Sequence, residues 1–351
     1  MRRHLIALTA VPLALALGLA GCAGQDQQSA EQSGAPSSGG AQSGDGAGGV
    51  TIGLTYIPNV QFSPVYVAQE DGIYASEGID TTIRHHGTDE GLFTALAAGE
   101  EDVVLASGDE VLQARDQGLD LVSISAYYQS YPVTIIVPED SPITSTGDLE
   151  GRRIGVPGEY GSTWLGLLAA LDAASLTDQD VTVVSIGYTQ QAALAGGEVD
   201  AVVGFTNNDL VQFQQAGMAV RTIDLDPDTT PLVGASLIST RSWLDAHPDE
   251  ARAVVAGTVA GIQRVVDDPD HAVEATEAYD DTLSGAEALS GARAVLAATT
   301  PLFTDEDGAV TGKQDLDRWK AMGSFLTGIP GMLSSAPDMD AAVTNDYVQV
   351  P

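Results

Sequence analysis

The sequence predicts an α/β fold of two lobes with a ligand cleft between them, and two observations carry that expectation. Strand-like and helix-like segments alternate from Thr51 onward at the spacing of βα units, which implies mostly parallel sheets with helices on both faces. A block of sequence also recurs. Ala97-Ala98-Gly99-Glu100-Glu101-Asp102-Val103-Val104 is matched by Ala195-Gly196-Gly197-Glu198-Val199-Asp200-Ala201-Val202. Val111-Leu112-Gln113-Ala114 and Val211-Gln212-Phe213-Gln214 then stand at corresponding places after the two copies. Each copy reads helix, Gly turn, acidic residues, buried strand, loop, helix, so the copies suggest lobes related by an approximate two-fold axis. Residues 50–132 are expected to form lobe one, 133–230 lobe two, and 231–351 to return to lobe one.

The amino end reads as an export signal. Met1-Arg2-Arg3-His4 is basic, Leu5 to Ala20 is apolar but short for a membrane span, and Leu19-Ala20-Gly21-Cys22 resembles the bacterial lipobox. Residues 1–21 are thus expected to be a lipoprotein signal peptide, with Cys22 as the lipidated first residue of the mature chain. Cys22 is the sole cysteine, which excludes intramolecular disulfides and cysteine-based metal sites. Residues 22–49, rich in Gly, Ser, Gln and Ala, bury too little surface to fold and read as a flexible tether. The expected location is the extracytoplasmic face of the cell membrane, held by lipid alone. A formal charge of −35 repels nucleic acid and anionic lipid, so no nucleic-acid partner is expected.

In order along the chain, Thr51 to Tyr56 is a strand, Ile57-Pro58-Asn59 a turn, and Pro64 a first helical position for Val65 to Glu70. Ile79 to His85 alternates as a strand, and Thr88 opens a helix through Ala98. Val103 to Ala106 is a short buried strand, Asp109 to Gln117 a helix, and Leu121 to Ala126 a strand. Val133 to Val137 is an extended apolar run expected to cross between lobes, with the return near Pro231 to Leu237. Arg153 to Val156 is a strand, followed by a Pro-Gly and Gly-Ser turn and an apolar helix through Leu171. From Thr240 the pattern is helical: Arg241 to Ala246, Asp249 to Val266, His271 to Tyr279, Ala286 to Ala298 and Gln314 to Leu326. These helices are expected to pack on lobe one and to carry little chemistry.

Candidate ligand-binding residues collect where strands end, the side on which open α/β sheets bind ligands. The loop Ser107-Gly108-Asp109-Glu110 and the loop Phe205-Thr206-Asn207-Asn208 follow the two matched strands and should face each other across the cleft. Asp109, Phe205, Asn207 and Asn208 are the candidates there. Beyond Val156, Ser162 or Thr163 can cap a helix whose first N–H groups are free, and Glu159, Tyr160 and Trp164 surround that end. Tyr56, Phe62, Tyr160 and Trp164 can stack on a flat ring, and Asn59, Asn207 and Asn208 can both donate and accept along its edge. Core packing for the rings and turn or cap roles for the asparagines are the competing readings. Tyr127, Tyr128 and Tyr131 flank the crossing, as a cleft wall or as hinge packing. Arg84 is the one cation placed to meet an anionic ligand group, or else a surface charge. His85 and His86 point to opposite strand faces and cannot share a metal, so no metal is expected.

These residues resemble a known family. Thr55-Tyr56-Ile57-Pro58-Asn59, Tyr66-Val67-Ala68, Gly72-Ile73-Tyr74 and Glu77-Gly78-Ile79-Asp80 resemble the opening of solute-binding proteins for thiamine pyrimidine precursors, relatives of the nitrate, sulfonate and taurine binders of ABC importers. Gly158-Glu159-Tyr160-Gly161 resembles a Gly-Glu-Phe-Gly turn of the pyrimidine group. The pyrimidine binders favour Trp where this chain has Tyr56 and His where it has Phe62. The run Tyr56-Ile57-Pro58-Asn59-Val60-Gln61-Phe62-Ser63-Pro64 also resembles riboflavin-binding relatives. The resemblance implies a type II-like periplasmic-binding-protein fold, a heteroaromatic vitamin or precursor as ligand, and ABC permease subunits as partners. It leaves pyrimidine, flavin and a small organic anion such as a sulfonate open as ligands.

The competing function is an enzyme, because related folds make a pyrimidine with pyridoxal phosphate. That chemistry needs a Schiff-base lysine, and this chain has lysine only at Lys313 and Lys320, in or beside a late helix. A non-catalytic protein without cofactor is therefore expected. A receptor domain for a signalling partner is a third possibility that the residues do not separate from transport.

Overall fold

The computed structural model describes residues 48–86, 90–227 and 229–349. The signal peptide, Cys22, the tether up to residue 47 and Thr88 lie outside them. Ten strands form two five-stranded sheets. The first holds β1 (Gly48–Leu54), β2 (Ile79–His85), β3 (Val103–Ser107), β4 (Leu121–Ala126) and β10 (Ala235–Thr240), in the order β2-β1-β3-β10-β4. The second holds β5 (Val133–Pro138), β6 (Arg153–Val156), β7 (Thr182–Ser185), β8 (Ala201–Phe205) and β9 (Val220–Asp224), in the order β7-β6-β8-β5-β9. The two orders are the same pattern written twice, with β10 in one sheet where β5 stands in the other.

Each sheet is mixed, where the local pattern predicts mostly parallel pairing. β1, β2 and β3 run parallel, as do β6, β7 and β8, but β10 is antiparallel to β3 and β4, and β5 to β8 and β9. The physical reason is connectivity. β10 enters the first sheet only after the chain has been through the second, and β5 is the first strand after the crossing, so neither follows a local βα turn. Val133–Pro138 is accordingly a strand within the second sheet, and the crossing segments are 127–132 and 225–234.

The repeated block explains itself in hydrogen bonds. Asp102 Oδ2 accepts from the Thr51 N–H at 2.8 Å, and the Asp102 N–H donates to Thr51 O at 2.9 Å. Asp200 does the same to Arg153, at 2.9 and 2.8 Å. Each aspartate thus ties the start of one parallel strand to its neighbour. The helix before each copy ends on a glycine with positive φ, Gly99 at 73° and Gly197 at 68°, a conformation an L side chain resists. The helix predicted from Thr88 is short, Thr94–Ala98.

Alternate residues of each strand feed the two faces of its sheet. Ile52, Leu54, Val103 and Leu105 join one cluster of the first sheet, and Val104 and Ala106 the other. The first cluster is closed by the helices Pro248–Asp267, Pro269–Glu277 and Ala286–Thr299 through Val254, Ile262, Val273 and Leu296. In the second lobe, Ile135, Ile154, Val156 and Val203 pack beneath the helix Gly161–Ala173. That helix has a double allegiance: its Leu165 and Ala169 belong to the first lobe's cluster with Val104, Val111 and Leu112. Among the described residues no helix is long and apolar enough to cross a membrane.

Candidate ligand-binding cleft

A cavity of about 160 Å³ lies at the carboxyl ends of β3 and β8, where the two lobes meet. Six aromatic rings line it: Tyr56, Phe62, Tyr127, Tyr128, Tyr131 and Phe205. Residues from both crossing segments, both sheets and the start of the helix Gly161–Ala173 contribute to its wall. No arginine, lysine or histidine is among the lining residues described, and the one carboxylate is that of Glu110.

Several of the hydroxyls around the cavity are already committed. Thr55 Oγ1 donates to Leu105 O at 2.6 Å, and the Tyr127 hydroxyl donates to Gln61 O at 2.8 Å. Tyr131 reaches across to donate to Ser162 O at 2.8 Å. Burial pushes the Tyr127 and Tyr131 phenols well above their ordinary range, the Tyr128 phenol beside Tyr127 for Tyr127 and the carboxyls of Asp109 and Glu110 for Tyr131 adding to it. These tyrosines are therefore neutral rings with fixed hydroxyls. They are walls of the cavity and packing of the crossing at once, since Tyr127 and Tyr128 also meet the Phe303 ring at 5.4 and 5.6 Å.

The sequence-predicted residues divide into two groups. Tyr56, Phe62 and Phe205 come together around the cavity. Tyr56, 44% exposed, stands at the mouth. Tyr160 is 58% exposed and folds its ring over Gly158, whose missing Cβ leaves the space. Tyr188, 77% exposed, joins them: partial burial and the Tyr160 hydroxyl beside it push its phenol up, with a smaller contribution from Tyr56. A lone tyrosine in a loop carries no sequence signal, and Tyr188 was not foreseen.

The others have local duties. Trp164 is buried in the second lobe's core with Val133, Ile154 and Leu167, so core packing replaces the expected stacking role. Its helix is apolar on nearly every side because both lobes bury it. Asn59 caps the short helical turn Val60–Phe62, its Oδ1 accepting from the Gln61 N–H at 3.1 Å. Asn207 is buried and donates from Nδ2 to Thr299 Oγ1 at 3.1 Å, tying the second lobe to the helix Ala286–Thr299. Asn208 Oδ1 accepts from Gln212 Nε2 at 2.9 Å, and Glu159 is exposed. None of these five lines the cavity.

Asp109 lies beneath the cavity rather than in its wall. It is fully buried, neither carboxyl oxygen has a hydrogen-bond partner, and burial followed by the neighbouring Glu110 pushes its pKa up to about 8. Glu110, two residues into the helix Gly108–Asp116, is in the loop expected to face the cleft but is not among the predicted binding residues, and its position is also that of a helix-capping Glu. It is one: Oε2 accepts from the Ser107 N–H at 2.9 Å and from Ser107 Oγ at 2.7 Å. Burial raises its pKa, and these Ser107 bonds oppose that rise without cancelling it.

Arg84 is not available to a ligand. Its guanidinium bonds Glu90 at 2.8 Å and Glu101 at 2.7 Å, contacts that raise its pKa further. Glu101 is buried and also meets His86 Nε2 at 2.8 Å. Arg153 pairs with Asp200 at 2.7 Å, at the opposite end of its strand from the cleft. Among the described residues no group of His, Cys, Asp and Glu is arranged to hold a metal ion.

Comparison with known proteins places this architecture. The chain is 32% identical over 303 residues to the riboflavin-binding protein RibY of Chloroflexus aurantiacus, covering 85% of this chain and 86% of that protein. It is 26% identical over 218 residues to a 4-amino-5-hydroxymethyl-2-methylpyrimidine phosphate synthase of Uromyces fabae, covering 59% and 63%. The periplasmic aliphatic sulphonate binding protein SsuA of Escherichia coli superimposes with a TM-score of 0.66 at 16% identity, covering 86% and 92% of the two chains. The fold is thus the two-lobe α/β fold of periplasmic binding proteins. Residues 59–272 match the NMT1/THI5-like family, and with that match and the RibY similarity together the chain belongs to the NMT1/THI5-like family.

Proposed function

We propose that this protein captures a flat, uncharged nitrogen heterocycle, riboflavin before a thiamine pyrimidine precursor, and delivers it to an ABC permease. The observation that carries this reading is the cavity wall: six aromatic rings, one carboxylate and no basic side chain. Such a wall suits ring stacking and repels an anion. A sulfonate would sit beside Glu110 with Arg84 and Arg153 both already paired. The similarity to RibY, which runs along most of both chains, supports the flavin.

Size is consistent with either ring system in different ways. A cavity of about 160 Å³ resembles the roughly 150 Å³ that holds a benzene ring, so its enclosed part accepts one ring. A pyrimidine would be taken up whole. A flavin would place one ring inside and extend past Tyr56 toward Tyr160 and Tyr188. Pyrimidine synthesis is disfavoured because neither lysine lines the cavity: Lys313 borders a separate small hollow, and Lys320 is exposed beside Asp317.

Titrating purified protein with riboflavin, an aminopyrimidine and taurine is the direct test. Riboflavin fluorescence is expected to fall on stacking, and Tyr56→Ala to weaken binding about tenfold, equivalent to roughly 1.4 kcal/mol, with an unchanged melting temperature because the ring is half exposed. Binding of taurine alone would refute the reading. The same proposal has the mature chain lipid-anchored at Cys22 on the extracytoplasmic face. Cys22→Ala is then expected to leave the membrane fraction, and its retention there after a high-salt wash would exclude the anchor.

A further inference from the structure

The Glu110 carboxyl is built as a fixed acceptor. Its Oε2 is engaged twice by Ser107, which sets the plane of the group and leaves Oε1 as its remaining oxygen. Nothing among the described residues hydrogen-bonds to Oε1, yet Oε1 is not among the buried unpaired atoms, so it keeps contact with the cavity that Glu110 lines. The hydroxyls of Thr55, Tyr127 and Tyr131 are already donating to backbone carbonyls. The cavity wall therefore offers ring faces, the neutral side chains of Gln61 and Ser162, and a single carboxylate, that of Glu110.

We propose that Glu110 selects the ligand, its Oε1 accepting a hydrogen bond from a ring or exocyclic N–H on the rim of the heterocycle. The inference rests on the heterocycle reading above and narrows it to imide, lactam or amino-substituted rings. An ionised carboxylate can only accept, and a ligand that displaces its water must supply a donor or leave a buried charge unpaired. The groups nearest the carboxyl are Asp109 on the same helix and Tyr131 from the crossing, and neither is a cation. Two well-formed hydrogen bonds from Ser107 favour the charge on Glu110, while Asp109 has only weaker approaches from the Ser107 side chain and its own backbone. Burial and the neighbouring charge favour the neutral form of Asp109, and the Ser107 donors favour keeping the charge on Glu110, which makes Glu110 the acceptor of the pair.

Glutamine at this position reverses the polarity of the site. Its carbonyl oxygen would satisfy Ser107, and its NH₂ would turn toward the cavity, donor against donor. The shape is unchanged, so the fold should tolerate it.

Two matched ligand pairs test the proposal on the wild-type protein: riboflavin against its imide-N-methyl derivative, and an aminopyrimidine against its dimethylamino analogue. Whichever parent ring binds, its methylated partner is expected to bind at least about tenfold more weakly, the loss of one charge-assisted hydrogen bond. Glu110→Gln is expected to weaken the parent by a similar factor and to erase the difference between parent and methylated ligand. Equal binding of parent and methylated ligand by the wild type would overturn the role of Glu110 while leaving the heterocycle reading intact. Failure of both parent rings to bind would overturn both. The methylation comparison needs no variant, so it stands even if Glu110→Gln misfolds.

Discussion

Gly261→Val is expected to be among the most destabilising single substitutions in the first lobe. The helix Pro248–Asp267 crosses the helix Ser63–Glu70 with Gly261 at the contact. A Cβ at Gly261 would sit 2.2 Å from the Pro64 carbonyl oxygen and 3.0 Å from Ala68 Cβ. The first obstacle is backbone, which has no rotamer to escape into, so the two helices must separate. Separation loosens Val65, Ala68, Val254 and Ile262, all buried in the same cluster. Overpacking of this kind costs about 3 kcal/mol or more. Gly257, one turn earlier, is filled in the same way by the Tyr74 ring, whose hydroxyl is held by Thr258 Oγ1 at 2.8 Å. Gly328→Ala is the control, because no atom lies within 4 Å of the added carbon. Thermal melts of both variants decide it: a Gly261→Val protein melting within a degree or two of the wild type contradicts the close crossing.

Asp109→Asn is expected to stabilise the protein at neutral pH. The carboxyl is buried without a donor, and its pKa rises from the ordinary 3.8 to about 8. The folded chain therefore binds a proton there that the unfolded chain has released, throughout the window between those two values. Stability must fall as pH rises through that window and level off above about 8. At neutral pH the cost is on the order of 4 kcal/mol. Asparagine has no charge to lose and removes the share of the slope due to Asp109, leaving that of Glu110 and Asp209, although its amide is still unsatisfied. Chemical denaturation at several pH values measures this directly. An Asp109→Asn protein that keeps the full wild-type pH slope would show that Asp109 is ionised in the fold.

How much of this was legible beforehand depends on the range of the signal. The repeated Gly turn and aspartate were readable because Asp102 and Asp200 act on the neighbouring strand through a fixed local geometry. The antiparallel β5 and β10 were not, since their partners are set by where the chain has travelled and nothing near Val133 or Ala235 encodes it. Within the site, Tyr56, Phe62 and Phe205 follow strands or lie in the loops beside them, where ligand-facing residues gather. Trp164 misled because a helix buried by two lobes looks the same from sequence as one that offers an aromatic face. Glu110 was hidden by its other role: one oxygen caps a helix and only the second faces the cavity.

The helix Gly161–Ala173 latches the two lobes together. Leu165 and Ala169 are buried against the first lobe, so parting the lobes must wet them together with Val111 and Leu112. At about 25 cal/mol per Å², wetting even ~100 Å² disfavours the open form by roughly 2.5 kcal/mol, which leaves it on the order of a per cent of the empty protein. Where binding needs the lobes apart, the empty chain would carry that cost before any ligand contact forms, and affinity would be lower than the cavity's contacts alone supply.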